Sequence, residues 1–124
     1  MRAYDLLLTR GQIFAGSGGG WAPYWLERMD EHYETFPWLV TNLPLRPSDY
    51  FRRQCFISCD PKEAEVPHVS DVLGADKVLF ASDYPHIDAL FPGTVAAVRE
   101  RGTLSAEAKQ QVLGKNAAWL YRLD

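Results

Sequence analysis

The chain has 124 residues, 47% of them hydrophobic and 23% charged, with a formal net charge of −3. That length fits one small domain of ordinary globular composition. The acidic balance, with Lys and Arg scattered and no basic stripe, excludes a nucleic-acid footprint, and no apolar stretch reaches the roughly 20 residues that span a bilayer. Four Trp and six Tyr point to a substantial apolar core or a large interface. The start, Met1-Arg2-Ala3-Tyr4-Asp5, carries an early charge and no long apolar run. It does not read as a secretory signal, so a cytoplasmic protein is expected.

In chain order, Leu6-Leu7-Leu8 closes a predicted first helix, and Gly11 to Ala15 forms a short strand that runs into Gly16-Ser17-Gly18-Gly19-Gly20-Trp21. Pro23 suits a helix's first turn. Trp25, Leu26, Met29 and Tyr33 then recur at helical spacing to about Thr35, with Glu27, Arg28, Asp30 and Glu31 on the other faces. Three prolines make residues 36–47 a connector, and Ser48 is an N-cap for a short turn to Arg53. A strand over 54–58 follows, then a helix from Pro61 to Leu73 stopped by Gly74, then a strand over 77–81. The tail holds a Pro92-Gly93 turn, a short helix to Arg101, and a helix from Ser105 that Gly114 punctuates before Asn116. The alternation predicts an α/β fold with strands 12–15, 54–58 and 77–81 parallel, in that spatial order, with crossover helices.

Cys55 and Cys59 share the middle strand. Residues four apart on a strand lie roughly 13 Å from each other, whereas a disulfide needs Cα atoms within about 7 Å. With no further Cys and no nearby His, the spacing is also poor for zinc, so two reduced thiols near a core are expected.

The most informative segment is Lys77-Val78-Leu79-Phe80-Ala81-Ser82-Asp83-Tyr84-Pro85-His86. An apolar strand ends abruptly in polar groups, at the edge where parallel α/β proteins collect ligands and chemistry. Asp83 reads either as a cap in the turn after the strand or as a metal-binding carboxylate that also accepts a proton from metal-bound water. His86 reads as its outer partner or as a loop histidine bonded to backbone. His32, beside Glu31 and Glu34, reads as solvated, and His68 follows Pro67 in a helix with no ligand spacing. The Gly-rich turn fits neither G-x-G-x-x-G nor a P-loop. Its amides, at a helix start, suit an anion, or its glycines let the backbone approach a substrate closely. Ser17 has no placed His-Asp partner that would make it a nucleophile. Trp21, Trp25 and Trp119 read as core or interface residues.

Three segments taken together carry a resemblance: Gly18 to Glu31, which contains Trp-Ala-Pro-Tyr-Trp-Leu-Glu-Arg-Met-Asp-Glu; Lys77 to His86; and Leu113-Gly114-Lys115-Asn116-Ala117-Ala118. In this order they resemble the C-terminal part of the amidohydrolase-related family, in the group of aminocarboxymuconate-semialdehyde decarboxylase-like and γ-resorcylate decarboxylase-like enzymes. The resemblance covers nearly the whole chain. It implies that residues 1–124 are a partial metal-dependent (β/α)8 TIM barrel, about three strand–helix units corresponding to strands six to eight, where a complete barrel takes about 250 residues.

It further implies metal-dependent hydrolysis or non-oxidative decarboxylation of a small carboxylated substrate, with zinc or manganese as the parent cofactor. Asp83 maps onto the family's eighth-strand aspartate, a metal ligand and catalytic proton acceptor, and Ser17, Gly18, Trp21 and His86 map near the substrate pocket. Ser17 stands where decarboxylase-like relatives often carry a His. The family's first-strand His-x-His or Glu-x-His pair has no counterpart in these residues. The expectation is therefore a truncated or internally deleted product, or a fragment. Alone it would bind metal weakly or not at all, and it would work as a homo-oligomer or with a missing N-terminal half.

Overall fold

The computed structural model describes residues 12–14 and 18–123. The expected first helix ending at Leu8, and Ser17, lie outside the described residues. Three strands, β1 (Gln12–Phe14), β2 (Cys55–Cys59) and β3 (Val78–Phe80), form one sheet in the order β1-β2-β3. Both pairings are parallel, with Ile13 opposite Phe56 and Ser58 opposite Leu79. Strand order and direction are those the apolar runs predict; the ends of β2 and β3 shift by a residue.

Helix α1 (Trp21–Thr35) connects β1 toward β2, with Pro23 in its first turn and Ala22, Pro23 and Leu26 buried. Helix α2 (Pro47–Gln54) departs from expectation at its start. Arg46, not Ser48, holds the N-cap position, with Pro47 in the first turn. Ser48 is engaged elsewhere: its N–H and its hydroxyl donate to the Asp30 carboxylate of α1 at 2.9 and 2.5 Å. A carboxylate from the neighbouring helix thus satisfies the donors that a local cap would otherwise serve.

Helix α3 (Val66–Leu73) begins five residues later than the sequence predicts. The Lys62 N–H donates to Asp60 Oδ1 at 2.8 Å and the Glu63 N–H to the Asp60 carbonyl at 3.0 Å, which holds the chain in turns after β2. Gly74 ends α3 at φ 98, a left-handed value glycine reaches without steric cost.

After β3 come α4 (Thr94–Arg99), α5 (Ala106–Gln110), a π-helical turn (Gln111–Lys115) and α6 (Asn116–Tyr121). Ser105 caps α5 as expected, its Oγ accepting from the Ala108 N–H at 3.1 Å. Gly114 does not interrupt the helix; the chain runs on through the π turn to Asn116. The Asn116 Nδ2 donates to the Ala75 and Val78 carbonyls, each at 2.7 Å, tying the C-terminal helix to the start of β3.

Alternation along β2 divides its side chains between two faces. Ile57 and Cys59 join Ala22, Leu26, Val66, Val69, Leu73 and Val78 in one core cluster, with Val98, Ala108 and Val112 from the C-terminal helices. Leu26, Ile57, Val69 and Val78 are essentially inaccessible, and burying each stabilises by roughly 1.5–3 kcal/mol. On the other face Phe56 lies 5.9 Å from the Trp119 ring and 4.8 Å under Lys77 Nζ. Of the core-or-interface reading of the tryptophans, the core alternative fails for Trp25, 56% exposed, and Trp119, 72% exposed. No described helix is long and apolar enough to cross a membrane.

Candidate functional site at the C-terminal strand edge

Because the strands are parallel, the loops that follow them leave from the same edge of the sheet. The Gly-rich turn after β1, the Asp60–Glu65 turns after β2 and the Ala81–Gly93 loop after β3 are therefore neighbours in strand order. Asp83 and the Gly-rich turn share an edge, as the sequence reading requires.

The loop after β3 folds on itself. The His86 N–H donates to the Asp83 carbonyl at 2.9 Å and the Ala89 N–H to the His86 carbonyl at 3.1 Å, giving successive turns. Asp83 sits at φ 56, a left-handed conformation that short polar side chains tolerate. The turn brings His86 Nδ1 to 3.1 Å from Asp83 Oδ2. Asp88 joins them, so that one potential ligand atom from each of Asp83, His86 and Asp88 lies within 4.8 Å of the others. Asp83 is half-buried, whereas His86 and Asp88 are exposed. Two carboxylates and an imidazole are a donor set that suits zinc or manganese. The sequence reading missed Asp88; its only linear signal is an acidic residue five positions after Asp83.

The second cluster joins the first two loops. Glu63 turns back from the loop after β2, and its carboxylate accepts from the Gly19 N–H at 2.9 Å on each oxygen and from the Gly20 N–H at 2.6 Å. Gly18 precedes them at φ 66. The amides at the start of α1 thus hold an anion, as the anion-binding reading expects of such a turn, but the anion is internal.

Gly19 packs so tightly on β2 that a Cβ there would collide with Cys59 Sγ. Both cysteines are free thiols, as expected. The Cys59 thiol is pushed up to about 12, first by burial and then by the charge of Glu63 and its hydrogen bond. Burial also raises Cys55, which Lys77 partly offsets. Arg101 reaches across from beyond α4 to donate to the Pro61 carbonyl at 2.7 Å, steadying the same loop. Glu63 was not legible as a site residue, since nothing in local spacing links it to glycines more than 40 positions away.

Of the remaining sequence-predicted residues, Trp21, though exposed, donates its Nε1–H to the Gly18 carbonyl at 3.0 Å and meets Phe51 edge-on at 6.4 Å, contacts that brace the turn. His32 is exposed, its Nδ1 2.9 Å from the Arg28 carbonyl. His68 lines a cleft of about 660 Å³ between α1, α2 and α3 with Tyr24, Glu65 and Arg52, apart from the Asp83 cluster. The structure therefore gathers Asp83 with His86, and Gly18 with Trp21.

A family model described as amidohydrolase matches residues 13–123. Among curated proteins no match is found. The fold matches a 5-carboxyvanillate decarboxylase from Sphingomonas paucimobilis at 30% identity and TM-score 0.71, over 83% of this chain and 31% of that one. An amidohydrolase from Mycobacterium avium subsp. paratuberculosis matches at 24% identity and TM-score 0.75, over 89% of this chain and 27% of that one. A 5-carboxyvanillate decarboxylase from Novosphingobium aromaticivorans, solved with bound manganese and 3-methoxy-4-hydroxy-5-nitrobenzoic acid, matches at 23% identity and TM-score 0.67, over 82% and 30%. These last two likenesses, below 25% identity, bear on the fold alone. The matched structures are amidohydrolase TIM barrels, and the chain spans about a third of their length. By the extent of the family match and the order of its elements, this chain belongs to the amidohydrolase family.

Proposed function

We propose that the chain supplies the last three strand–helix units, strands six to eight, of a metal-dependent amidohydrolase barrel. Its reaction would be hydrolysis or non-oxidative decarboxylation of a small carboxylated substrate. The observation that supports this most is the position of Asp83, just past the C-terminal end of β3, with His86 and Asp88 converging on it.

The donor set fits a divalent ion such as zinc or manganese, with Asp83 as the anchoring ligand and His86 and Asp88 as companions. Such an ion, when bound, polarises substrate oxygens as a Lewis acid. Asp83 Oδ2 and His86 Nδ1, 3.1 Å apart, can share a proton, so a proton accepted by the carboxylate has an imidazole beside it. The Gly-rich turn, fastened by Glu63 and Trp21, follows β1 at the same edge of the sheet.

A second reading is that the chain alone is not catalytic and acts as an assembly subunit, with copies of itself or with the remaining barrel strands. Two observations favour it. No His-x-His or Glu-x-His triplet occurs in these residues, and among the described residues β1 and β3 each have one unpaired edge, which invites pairing with another chain. A cytoplasmic setting agrees with either reading.

The experiment is manganese titration of the purified chain and of Asp83→Asn, followed by dialysis and metal analysis. Weak binding by the chain, lost in Asp83→Asn, with no turnover of aromatic carboxylates, is the expected result. Stoichiometric metal retained after dialysis and lost in Asp83→Asn, together with turnover, would make the chain an enzyme in its own right. Unchanged binding in Asp83→Asn would remove Asp83 from the site.

A further inference from the structure

The segment between β2 and α3, residues 60–65, is held by polar bonds where its neighbours are held by the core. Cys59 before it and Val66 after it belong to the core cluster, and none of the residues between them does. Only Pro61 among them is buried. Segments with few buried apolar contacts open locally, at a free energy below that of global unfolding. Two long-range bonds oppose that opening here. In one, the Gly19 and Gly20 amides donate to the Glu63 carboxylate. In the other, Arg101 Nη2 donates to the Pro61 carbonyl at 2.7 Å. Arg101 has a fixed base, because Val98 and Leu104 on either side of it are both buried in the core cluster. Behind the segment lies the Cys59 thiol, 4% exposed, with Gly19 packed against its Sγ. Glu63 also accepts a hydrogen bond from that thiol, so one carboxylate joins β2, the segment and the turn after β1.

We propose that Arg101 is a positioning residue for the Gly-rich turn. Through the Pro61 carbonyl it latches residues 60–65, and with them Glu63, onto Gly19 and Gly20, so that segment and turn open together and uncover Cys59 only when they do. A residue beyond β3 thereby governs the turn that follows β1. The latch needs neither a metal at Asp83 nor a substrate. Charge alone would act in the opposite sense. The Arg101 guanidinium favours the Cys59 thiolate, so as a mere charge it speeds reaction at the thiol, and its loss slows it. As a latch it shields the thiol, and its loss exposes it.

The test is native-state amide exchange, followed by NMR, on the chain, on Arg101→Met and, as a control outside the segment, on Asn116→Ala. An amide that exchanges by local opening feels only those substitutions whose bond breaks in that opening. Arg101→Met should therefore speed exchange at Gly19 and Gly20 by about tenfold, the worth of one hydrogen bond from a charged donor. Asn116→Ala should leave those two amides unchanged while speeding those of β3. In the Glu63→Ala background, Arg101→Met should add about twofold or less at Gly19 and Gly20, since the link it acts through is gone. Iodoacetamide labelling of Cys59, read by peptide mass spectrometry, should quicken about tenfold in Arg101→Met, in step with the opening. If Arg101→Met fails to fold, Arg101→Gln, which keeps a shorter amide donor, carries the same comparison. Four results each overturn the latch: unchanged exchange at Gly19 and Gly20 in Arg101→Met, equal acceleration there in Asn116→Ala, an undiminished effect in the Glu63→Ala background, or slower labelling of Cys59. The last would leave Arg101 acting on the thiol by its charge alone.

Discussion

Replacing Glu63 by alanine withdraws the acceptor from two amides at the start of α1. The Gly19 N–H loses contacts of 2.9 Å to both carboxylate oxygens, and the Gly20 N–H loses one of 2.6 Å. Gly19 is buried, so water cannot fully replace the bond, while Gly20 is half-exposed and water can reach it. An unsatisfied buried donor costs about 1–3 kcal/mol. The favourable charge at a helix N-terminus adds about 0.3–1 kcal/mol. Glu63→Ala should therefore destabilise the chain by roughly 2–3 kcal/mol.

Glu63→Gln keeps one oxygen and loses the charge. Since charge-assisted bonds are about twice as strong as neutral ones, about 1 kcal/mol is expected for it. Urea unfolding followed by tryptophan fluorescence measures both. The thiol offers a second reading: without the Glu63 charge, Cys59 should titrate lower than in the unaltered chain, because burial alone then holds it up. Both variants within about 0.5 kcal/mol of the unaltered chain, with Cys59 unmoved, would refute the view that Glu63 fastens the turn; that is the scatter expected of an unremarkable surface substitution.

The Cys59 thiol sets an alkaline limit. Its value rises from an ordinary 9.0 to about 12 in the folded chain, so its contribution is complete below pH 9 and is lost as pH climbs toward 12; at pH 10 the loss is about 1.4 kcal/mol. Urea midpoints at pH 8 and 10 should show that slope, and Cys59→Ser should lose most of it, the remainder belonging to Cys55. Gly19→Ala places a methyl against Cys59 Sγ and should cost about 1–3 kcal/mol as overpacking, read by thermal unfolding. Asn116→Ala strands the Ala75 and Val78 carbonyls and should cost about 2 kcal/mol, with faster amide exchange in β3 and α6 as its local signature.

The fold was legible where side-chain pattern alone decides it. β2 is buried from Phe56 to Cys59, so it reads as an apolar run broken only by Ser58, close to what central parallel strands show. β3 ends where Ser82 and Asp83 end the apolar run. Helix starts were less legible, because caps here come from elsewhere. Ser48 has cap chemistry, yet Asp30 of another helix takes its donors. Pro61 has first-turn chemistry, yet Asp60 bends the chain into turns that carry Glu63 back toward α1. Gly114 has stop chemistry, yet the π turn passes through it and delivers Asn116 to its carbonyls. At Ser48 and Gly114 a tertiary hydrogen bond, and at Pro61 the Asp60 turn, outweighed a local preference worth about 1 kcal/mol.

The site divides along the same line. Asp83 was legible because a rigid strand ends beside it, and His86 because it lies within one turn. Their convergence with Asp88 depends on successive turns that no spacing rule specifies. The Gly-rich turn was legible as an anion holder, but not that Glu63 would be the anion. This bears on where the carboxylated substrate proposed above would go. To bind at the Gly19 and Gly20 amides it would have to displace Glu63, forgoing the roughly 2–3 kcal/mol that Glu63 contributes there. That is a penalty of about 30- to 150-fold in affinity. At the loop after β3, by contrast, the His86 and Asp88 side chains stand exposed. The hydrogen bonds of Glu63 therefore assign the glycines to architecture.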